Sequence, residues 1–483
     1  MLAASAAASL PLDDYMNRAE PVFDWFDTGT KIVPPKLVFS GTVHLLNVTS
    51  LTWLNSSVVS GPNGAVWSHQ AAVIVPKVIK TNRSLIYLTG GCNSNPSVPG
   101  GTDEELLLIS RVSEETGAIG VVTYQIPNCP LVFASDPSQR GRSEDALLAW
   151  AWKDYLDDPH KLPERLPRLP MAKAAFQCMK AVTAFVAQQK LASLDGWFVA
   201  GASKRGWTTW MVGSAAAGCT ECPSIIGLAP LVPIVPSIQA EVHRQWRSYG
   251  GFTFAFSDYA DAGIIPRLDS PGFDQAAAII DPMNYVERLN ALPKVCLRSR
   301  RDRVEIEISP SCYHATELSR LTPHPCPHPP PRIYSHQVVI DSSDDEFMQF
   351  DWTEIWDGLF DPKNTRLLIA ANSEHSLATG IPQLLPCLLS SFSYINVGMD
   401  LPSFQTSYDP ETGALTVRVP ATTRPKKVTL HHAQTHSTVR RDFRWVRLAN
   451  NETGECKVGH RRHSLALFNP LGSCPCPYEC RSI

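Results

Sequence analysis

Residues 196–217, GWFVAGASKRGWTTWMVGSAAA, change character at a single serine. Gly196 to Ala202 is a short apolar run of the kind found in buried strands, and from about Gly206 the apolar residues recur at helical spacing. A serine on a sharp turn between a buried strand and a helix is the nucleophile-elbow arrangement, which exposes the hydroxyl at the carboxyl end of the strand. The helix behind it points its first N–H groups, and the positive end of its dipole, at the same spot. Ser203 is therefore the candidate nucleophile, and the backbone N–H of Lys204 is a candidate oxyanion donor. The usual elbow has a small residue two places after the serine. Here Arg205 stands there, and the glycine comes one later, at Gly206. A plain strand-to-helix turn with an incidental serine is the competing reading.

Upstream, AVWSHQAAVIVPKVI (65–79) and SLIYLTG (84–90) read as buried strands around a turn at Thr81–Arg83, and AIGVVTYQIP (118–127) as another. Helices are expected over 104–116, 144–157 and 171–192. Downstream, SIIGLAPLVPIV (224–235), HQVVID (336–341) and NTRLLIAAN (364–372) continue the strand pattern. Buried strands alternating with helices predict a mostly parallel sheet covered on both faces. Residues 236–293 hold no clear strand and carry Trp246, Tyr249, Phe252, Phe254, Phe256, Tyr259 and Tyr285, so a helical cap insertion is expected there. From Leu401 the short runs ALTVRVP, KKVTLHHAQ and FRWVRLA alternate with turn residues, as in a small antiparallel β-domain over 401–459. The expected organisation is an N-terminal segment 1–29, an α/β domain 30–400, the β-domain, and a tail 460–483.

A nucleophilic serine needs a base, and the base needs an orienting acid. In α/β-hydrolases these follow in the order serine, acid, histidine, after successive strands. VVIDSSDDEF (338–347) places Asp341, Asp344 and Asp345 just past a strand, and LLIAANSEHSL (367–377) places His375 past the next. The preferred acid is Asp345, then Asp344, then Asp341. LTGGCNSNP (88–96) supplies Gly91 and Cys92 after a strand, where a second oxyanion donor is expected. An ordinary Gly–Gly turn competes with that reading.

Lys and Arg number 43 against 46 Asp and Glu, a net charge of −3, which gives no electrostatic footprint for nucleic acid. No apolar run is long enough to span a bilayer. The 13 cysteines are odd in number, so at least one is unpaired within the chain. Cys219 and Cys222 form one C-x-x-C without a second correctly spaced pair, so no metal is expected, nor any cofactor. Sequons at Asn47, Asn55, Asn82 and Asn451 are glycosylation candidates. The opening MLAASAAASLPLDDY lacks a basic region and makes a poor signal peptide.

Two stretches fit nothing around them. Residues 295–335 carry seven prolines and three cysteines inside what should be a sheet, and the tail contains CPCPYEC. Gene-model errors are the expectation for both, with a surface insertion as the alternative.

LDDYMNRAEPVFDW (12–25), TSLTWLN (49–55), LTGGCN (88–93), LPRLPMAKAA (166–175), FVAGASKRGWTTW (198–210), DPMNYVERL (281–289), DDEF (344–347) and SEHSL (373–377) together resemble the PhoPQ-activated pathogenicity-related protein family. The resemblance runs over about 12–294 and 337–450. It implies an α/β-hydrolase-like fold with a C-terminal β-domain and a triad of Ser203, Asp345 and His375. Where that family usually has a glycine before Asp-Glu-Phe, this chain has Asp344. The resemblance also implies secretion, and one family member slows cell proliferation from outside the cell.

Two functions are expected to compete. One is a serine hydrolase of an ester or peptide bond, in which Lys204 or Arg205 assists the oxyanion or binds a carboxylate. The other is a secreted signalling protein, with a cell-surface receptor as partner, that uses the fold without turnover. A third outcome, a non-functional product, follows if 295–335 displaces the acid-bearing strand.

Overall fold

The computed structural model describes residues 10–94, 97–233, 236–292, 336–350, 359–360 and 365–399, with parts of 401–458. Its centre is a nine-stranded sheet of β1 (Asp24–Ile32), β2 (Thr42–Thr52), β3 (Val66–Val75), β4 (Arg83–Leu88), β5 (Ile119–Thr123), β6 (Gly196–Ala202), β7 (Ile225–Leu231), β8 (His336–Ser342) and β9 (Thr365–Ala370). The spatial order is β1-β2-β3-β5-β4-β6-β7-β8-β9. Neighbours from β5 to β9 are parallel. The pairs β1/β2, β2/β3 and β3/β5 are antiparallel. The two strands read around a turn at Thr81–Arg83, β3 and β4, are not neighbours, because β5 lies between them.

The helices are α1 (Pro11–Asn17), α2 (Glu104–Thr116), α3 (Glu144–Asp157), α4 (Arg168–Gln188), α5 (Lys204–Ala216), α6 (Ile238–Tyr249), α7 (Ser257–Asp261), α8 (Pro271–Ile280), α9 (Val286–Asn290) and α10 (Ile381–Asn396). The sheet separates two cores. One packs Trp152, Phe176, Phe185 and Trp210 from α3, α4 and α5, together with cap residues such as Phe273. The other packs Leu106 and Ile109 of α2 with Leu388 and Phe392 of α10. All residues of β4, β5 and β7 are buried, which explains their unbroken apolar runs. This is the mostly parallel, doubly covered sheet expected from the alternation, and the α/β-hydrolase-like architecture that the resemblance implies.

Local chemistry sets the ends of the elements. Asp103 caps α2 by accepting the Leu106 N–H at 3.0 Å, and Gly117, at φ +70°, closes it. Two elements give no clear sequence pattern. β1, DWFDTGTKI, is a largely exposed edge strand with an irregular register between Asp27 and Lys31, so it lacks apolar alternation. α10 contains Pro386, a residue that argues against helix, yet its apolar face is covered by the core.

Residues 238–290 form short helices with no strand, as expected of a cap, and Asp281 anchors them by accepting the N–H groups of Ser237, Ile238 and Met283. Beyond α10 the described residues form two antiparallel ribbons, Gln405–Tyr408 with Leu415–Arg418 and Leu448–Ala449 with Lys457–Val458. Most of the expected strand KKVTLHHAQ, most of FRWVRLA, the stretch 295–335, the tail 460–483 and Asn451 lie outside the described residues.

Close packing at the end of β6 depends on glycine. A Cβ at Gly206 would lie 2.4 Å from the Leu231 carbonyl oxygen, whereas one at Gly251 would meet nothing within 4 Å. Gly206→Ala is expected to destabilise by about 2 kcal/mol or more, because a backbone atom must yield, while Gly251→Ala stays within about 0.5 kcal/mol of wild type. Urea denaturation of both variants checks this.

Candidate active site

Ser203 joins β6 to α5 with φ +56° and ψ −122°, a backbone that non-glycine residues rarely adopt. Such strain costs on the order of 1–3 kcal/mol and persists only where the surroundings enforce it. Here the Ser203 N–H donates to the Leu231 carbonyl at 2.9 Å, and the Ser203 carbonyl accepts from Trp207 at 3.0 Å as the first bond of α5. A Cβ at Gly201 would lie 2.9 Å from the Arg205 carbonyl oxygen, so the strand end also needs glycine. The serine is half-buried. Lys204 is the first residue of α5, so its N–H is one of the amides a helix leaves without an internal partner.

The parallel register brings five strand ends together. Leu88 of β4 pairs with Gly201, Ala202 with Leu231, Leu231 with Ile340, and Ser342 with Ala370. The loops after β8 and β9 therefore open at the same edge as Ser203. His375 Nδ1 and Asp345 Oδ2 are 2.7 Å apart, and both residues are buried. Asp345 Oδ1 accepts the N–H groups of Phe347 at 2.7 Å and Met348 at 2.8 Å, which fixes the direction of its carboxyl group. The other two candidate acids make no such pair. Asp344 is pushed up to about 6 by burial, and Asp341 is pushed well up by burial and the nearby Asp345 charge. Burial pulls the His375 pKa down, but the attraction of Asp345, with a further contribution from Glu346, leaves it raised. Nε2 of His375 is buried and makes no hydrogen bond, with Ser203 or any other group. In uncomplexed enzymes such a contact is often long.

A direct serine–histidine hydrogen bond does occur, but elsewhere. Ser50 Oγ is 2.8 Å from His69 Nε2, and both residues are inaccessible. Burial pulls His69 down to about 4, so it stays neutral and merely satisfies a buried hydroxyl.

The loop after β4 carries Gly90 and Gly91. Gly91 has φ +102°, and a Cβ there would meet nothing within 4 Å. At Gly90 a Cβ would lie 2.6 Å from Arg205 Nη2, so this glycine makes room for the guanidinium. Cys92 is disulfide-bonded to Cys129, tying the loop to residues 124–130. Sequence offered no signal for this pairing across 37 residues. Among the described residues the other bridge is Cys219–Cys222, so the lone C-x-x-C is a disulfide.

The two cations after the serine are committed. Arg205 donates to both Glu144 carboxylate oxygens, at 2.8 and 2.5 Å, and to the Ile126 carbonyl. Lys204 Nζ lies 3.0 Å from both Glu144 Oε2 and Asp145 Oδ2. Behind them Arg168 is fully buried, stacks 4.2 Å over Trp207, and donates to the Lys204 carbonyl at 2.8 Å. Sequence reading did not single out Glu144, Arg168 or Phe347. Phe347 lies flat on the His375 ring, with centroids 4.3 Å apart and planes 18° apart. Among the described residues no group of three or more His, Cys, Asp or Glu side chains is placed to hold a metal ion, and no helix is long and apolar enough to cross a membrane.

The family model for PhoPQ-activated pathogenicity-related protein matches residues 12–319 and 328–444. The chain belongs to this family. The match extends into the proline-rich stretch as far as 319, beyond the 294 at which the sequence resemblance stops, and resumes at 328. Within the PhoPQ-activated pathogenicity-related family, autocrine proliferation repressor protein A of Dictyostelium discoideum is 31% identical over 444 residues, covering 91% of this chain and 76% of that protein. Among solved structures, acetyl xylan esterase from Paenibacillus sp. R4 matches with a TM-score of 0.44 at 9% identity, over 79% of this chain and 92% of that one. Acetyl xylan esterase 1 from Thermoanaerobacterium sp. JW/SL YS485 matches with 0.38 at 12% identity, over 79% and 93%. Asp344 sits beside, not in, the ion pair with His375.

Arg205 and Lys204 hold the Glu144 carboxyl down at about 2, against an ordinary 4.5, despite the opposing effect of burial. A depressed carboxylate stabilises the fold above its unfolded pKa, and that stability is lost as pH falls through the folded one. Because the side chain is 38% exposed, solvent screening reduces the contribution to on the order of 1 kcal/mol. Glu144→Gln is expected to be less stable at neutral pH and to lose less stability than wild type between about pH 4.5 and pH 2. Urea unfolding at several acidic pH values measures it.

Proposed function

We propose that this protein is a serine hydrolase that cleaves an ester or peptide bond. The observation that carries the reading is the left-handed Ser203 on the same sheet edge as the His375–Asp345 pair. Ser203 Oγ attacks the substrate carbonyl while His375 Nε2 takes the proton. Asp345 fixes the tautomer with Nδ1 protonated and stabilises the imidazolium that forms. The N–H of Lys204, with that of Gly91 or Cys92, receives the oxyanion. His375 then returns the proton to the leaving group, and water repeats the sequence on the acyl-enzyme. Lys204 and Arg205 side chains are left a supporting role, because Glu144 and Asp145 already occupy them.

A second reading is favoured by the relative from Dictyostelium, which is named as a repressor of proliferation. In it the chain is an extracellular signal recognised by a cell-surface receptor, and turnover is dispensable. Both readings share an extracellular location. Two disulfides support that compartment, as do exposed sequons at Asn55 and Asn82.

Fluorophosphonate labelling separates the two. Labelling is expected in wild type and absent in Ser203→Ala. In His375→Ala and Asp345→Asn it is expected to slow by about 10³-fold or more, and in Asp344→Asn to change little. The rate should rise with pH, because the base must be neutral, and its midpoint should lie above the ordinary histidine value of 6.5. A folded wild type that does not label, or one that labels equally without Ser203, overturns the hydrolase reading.

Secretion makes its own expectation. Asn55 and Asn82 are exposed, whereas Asn47 is half-buried inside β2 between β1 and β3. Glycans are expected at Asn55 and Asn82 and not at Asn47. Mass spectrometry of glycosidase-treated protein from a secreting host checks this, and an unglycosylated secreted product contradicts it.

A further inference from the structure

We propose that Phe347 is a positioning residue for His375, and that the cap sets Phe347 through Gln245. The proposal rests on the hydrolase reading for its kinetic consequence only.

Four contacts fix Phe347. Its ring lies flat on the imidazole of His375 at 4.3 Å, with 18° between planes. Its N–H donates to Oδ1 of Asp345 at 2.7 Å, the carboxylate that pairs with His375 through Oδ2. Its carbonyl accepts from Nε2 of Gln245 on α6. Its ring also makes a T-shaped contact with Phe254 of the cap, with centroids 5.4 Å apart and planes at 72°. Gln245 is itself fully buried, and its Oε1 accepts the Thr253 N–H at 3.2 Å. One residue of the acid loop is thus gripped by the acid on one side and by the cap on the other, with its flat face against the base.

The arrangement has two physical effects. Asp345 constrains the imidazole at one nitrogen, which still leaves the ring free to tilt about that bond, and the stacked phenyl removes the tilt. An aromatic face also attracts a cation, so the stack favours the imidazolium over the neutral ring. The charged groups facing His375 are Asp345 and Glu346 of the acid loop and Lys204 of α5. Glu346 also accepts the His375 backbone N–H at 3.0 Å. None of these charges is altered by a substitution at Phe347 or Gln245, so a change in the titration of His375 reports the ring that lies on it, through its attraction for the cation and its cover of the imidazole.

The test uses the full chain with ¹⁵N-labelled histidine. His375 is titrated by NMR in wild type, Phe347→Leu, Phe347→Tyr and Gln245→Leu, alongside thermal unfolding and fluorophosphonate labelling against pH. Phe347→Leu keeps apolar volume and loses the flat face. It is expected to lower the His375 midpoint by about half a pH unit, and to slow labelling about 3-fold or more. Phe347→Tyr, which keeps the face, is expected to restore both. Gln245→Leu should shift the midpoint in the same direction by a smaller amount. An unchanged midpoint in folded Phe347→Leu overturns the positioning role, as does a Phe347→Tyr variant that fails to restore it. An unchanged midpoint in Gln245→Leu overturns the part given to the cap. If Phe347→Leu does not fold, the tyrosine and Gln245 variants decide. Absent labelling of wild type with a midpoint that still moves would sink the hydrolase reading and leave the positioning role standing.

Discussion

The left-handed backbone at Ser203 exists because β6, β7 and the first turn of α5 approach more closely than side chains allow. Gly201 and Gly206 carry no Cβ where one would collide with the carbonyls of Arg205 and Leu231. The Leu231 carbonyl also accepts the Ser203 N–H. Strand spacing, turn and helix start are therefore one constraint, not three. With a bulkier residue at either glycine, α5 would have to move off the sheet, and the hydroxyl would no longer project from the strand end. Placing the second glycine at Gly206, one position later than usual, moves the close contact onto β7 and frees Arg205 to reach Glu144 and the Ile126 carbonyl.

That freed arginine ties the serine to the rest of the edge. Arg205 occupies the space Gly90 leaves and pairs with α3, so the loop after β4, the start of α3 and the elbow share one ion network. Arg168 supports it from inside, through the Lys204 carbonyl. On the other flank Asp345 is held by His375, Phe347, Met348 and, at 3.5 Å, the Ser342 hydroxyl. The two flanks use different physics. The serine side is set by close backbone packing and half-buried charge pairs, and the histidine side by hydrogen bonds to one carboxylate and an aromatic stack.

Much of this is legible in the sequence, because buried parallel strands read as apolar runs and the serine marks the one abrupt change from strand to helix. The order serine, acid, histidine follows from where such runs end. The choice among Asp341, Asp344 and Asp345 does not follow, because neighbouring acidic residues on one loop differ only in direction, which the backbone decides. Cations next to a serine invite a role with substrate, but their partners come from α3, some 60 residues away in the chain, and nothing local announces Glu144. The edge strand β1 is illegible because its outer side is wet, and α10 because its proline is tolerated by packing. Phe347 looks like any core aromatic until its ring is seen lying on an imidazole.

The order of strands in space also bears on how the chain is made. β7 is complete about a hundred residues before β8 begins, yet β8 is its hydrogen-bonded neighbour. During synthesis, at roughly 5–20 residues per second, the fully buried residues of β7 would wait on the order of 5–20 seconds with one backbone edge unpaired. The nascent protein thus spends an interval with a long apolar strand edge open to any other extended chain, and the helices of the cap emerge from the ribosome during that same interval. Demand for a holding chaperone in the secretory or cytosolic compartment is set here by topology, before the groups at the strand ends have been assembled.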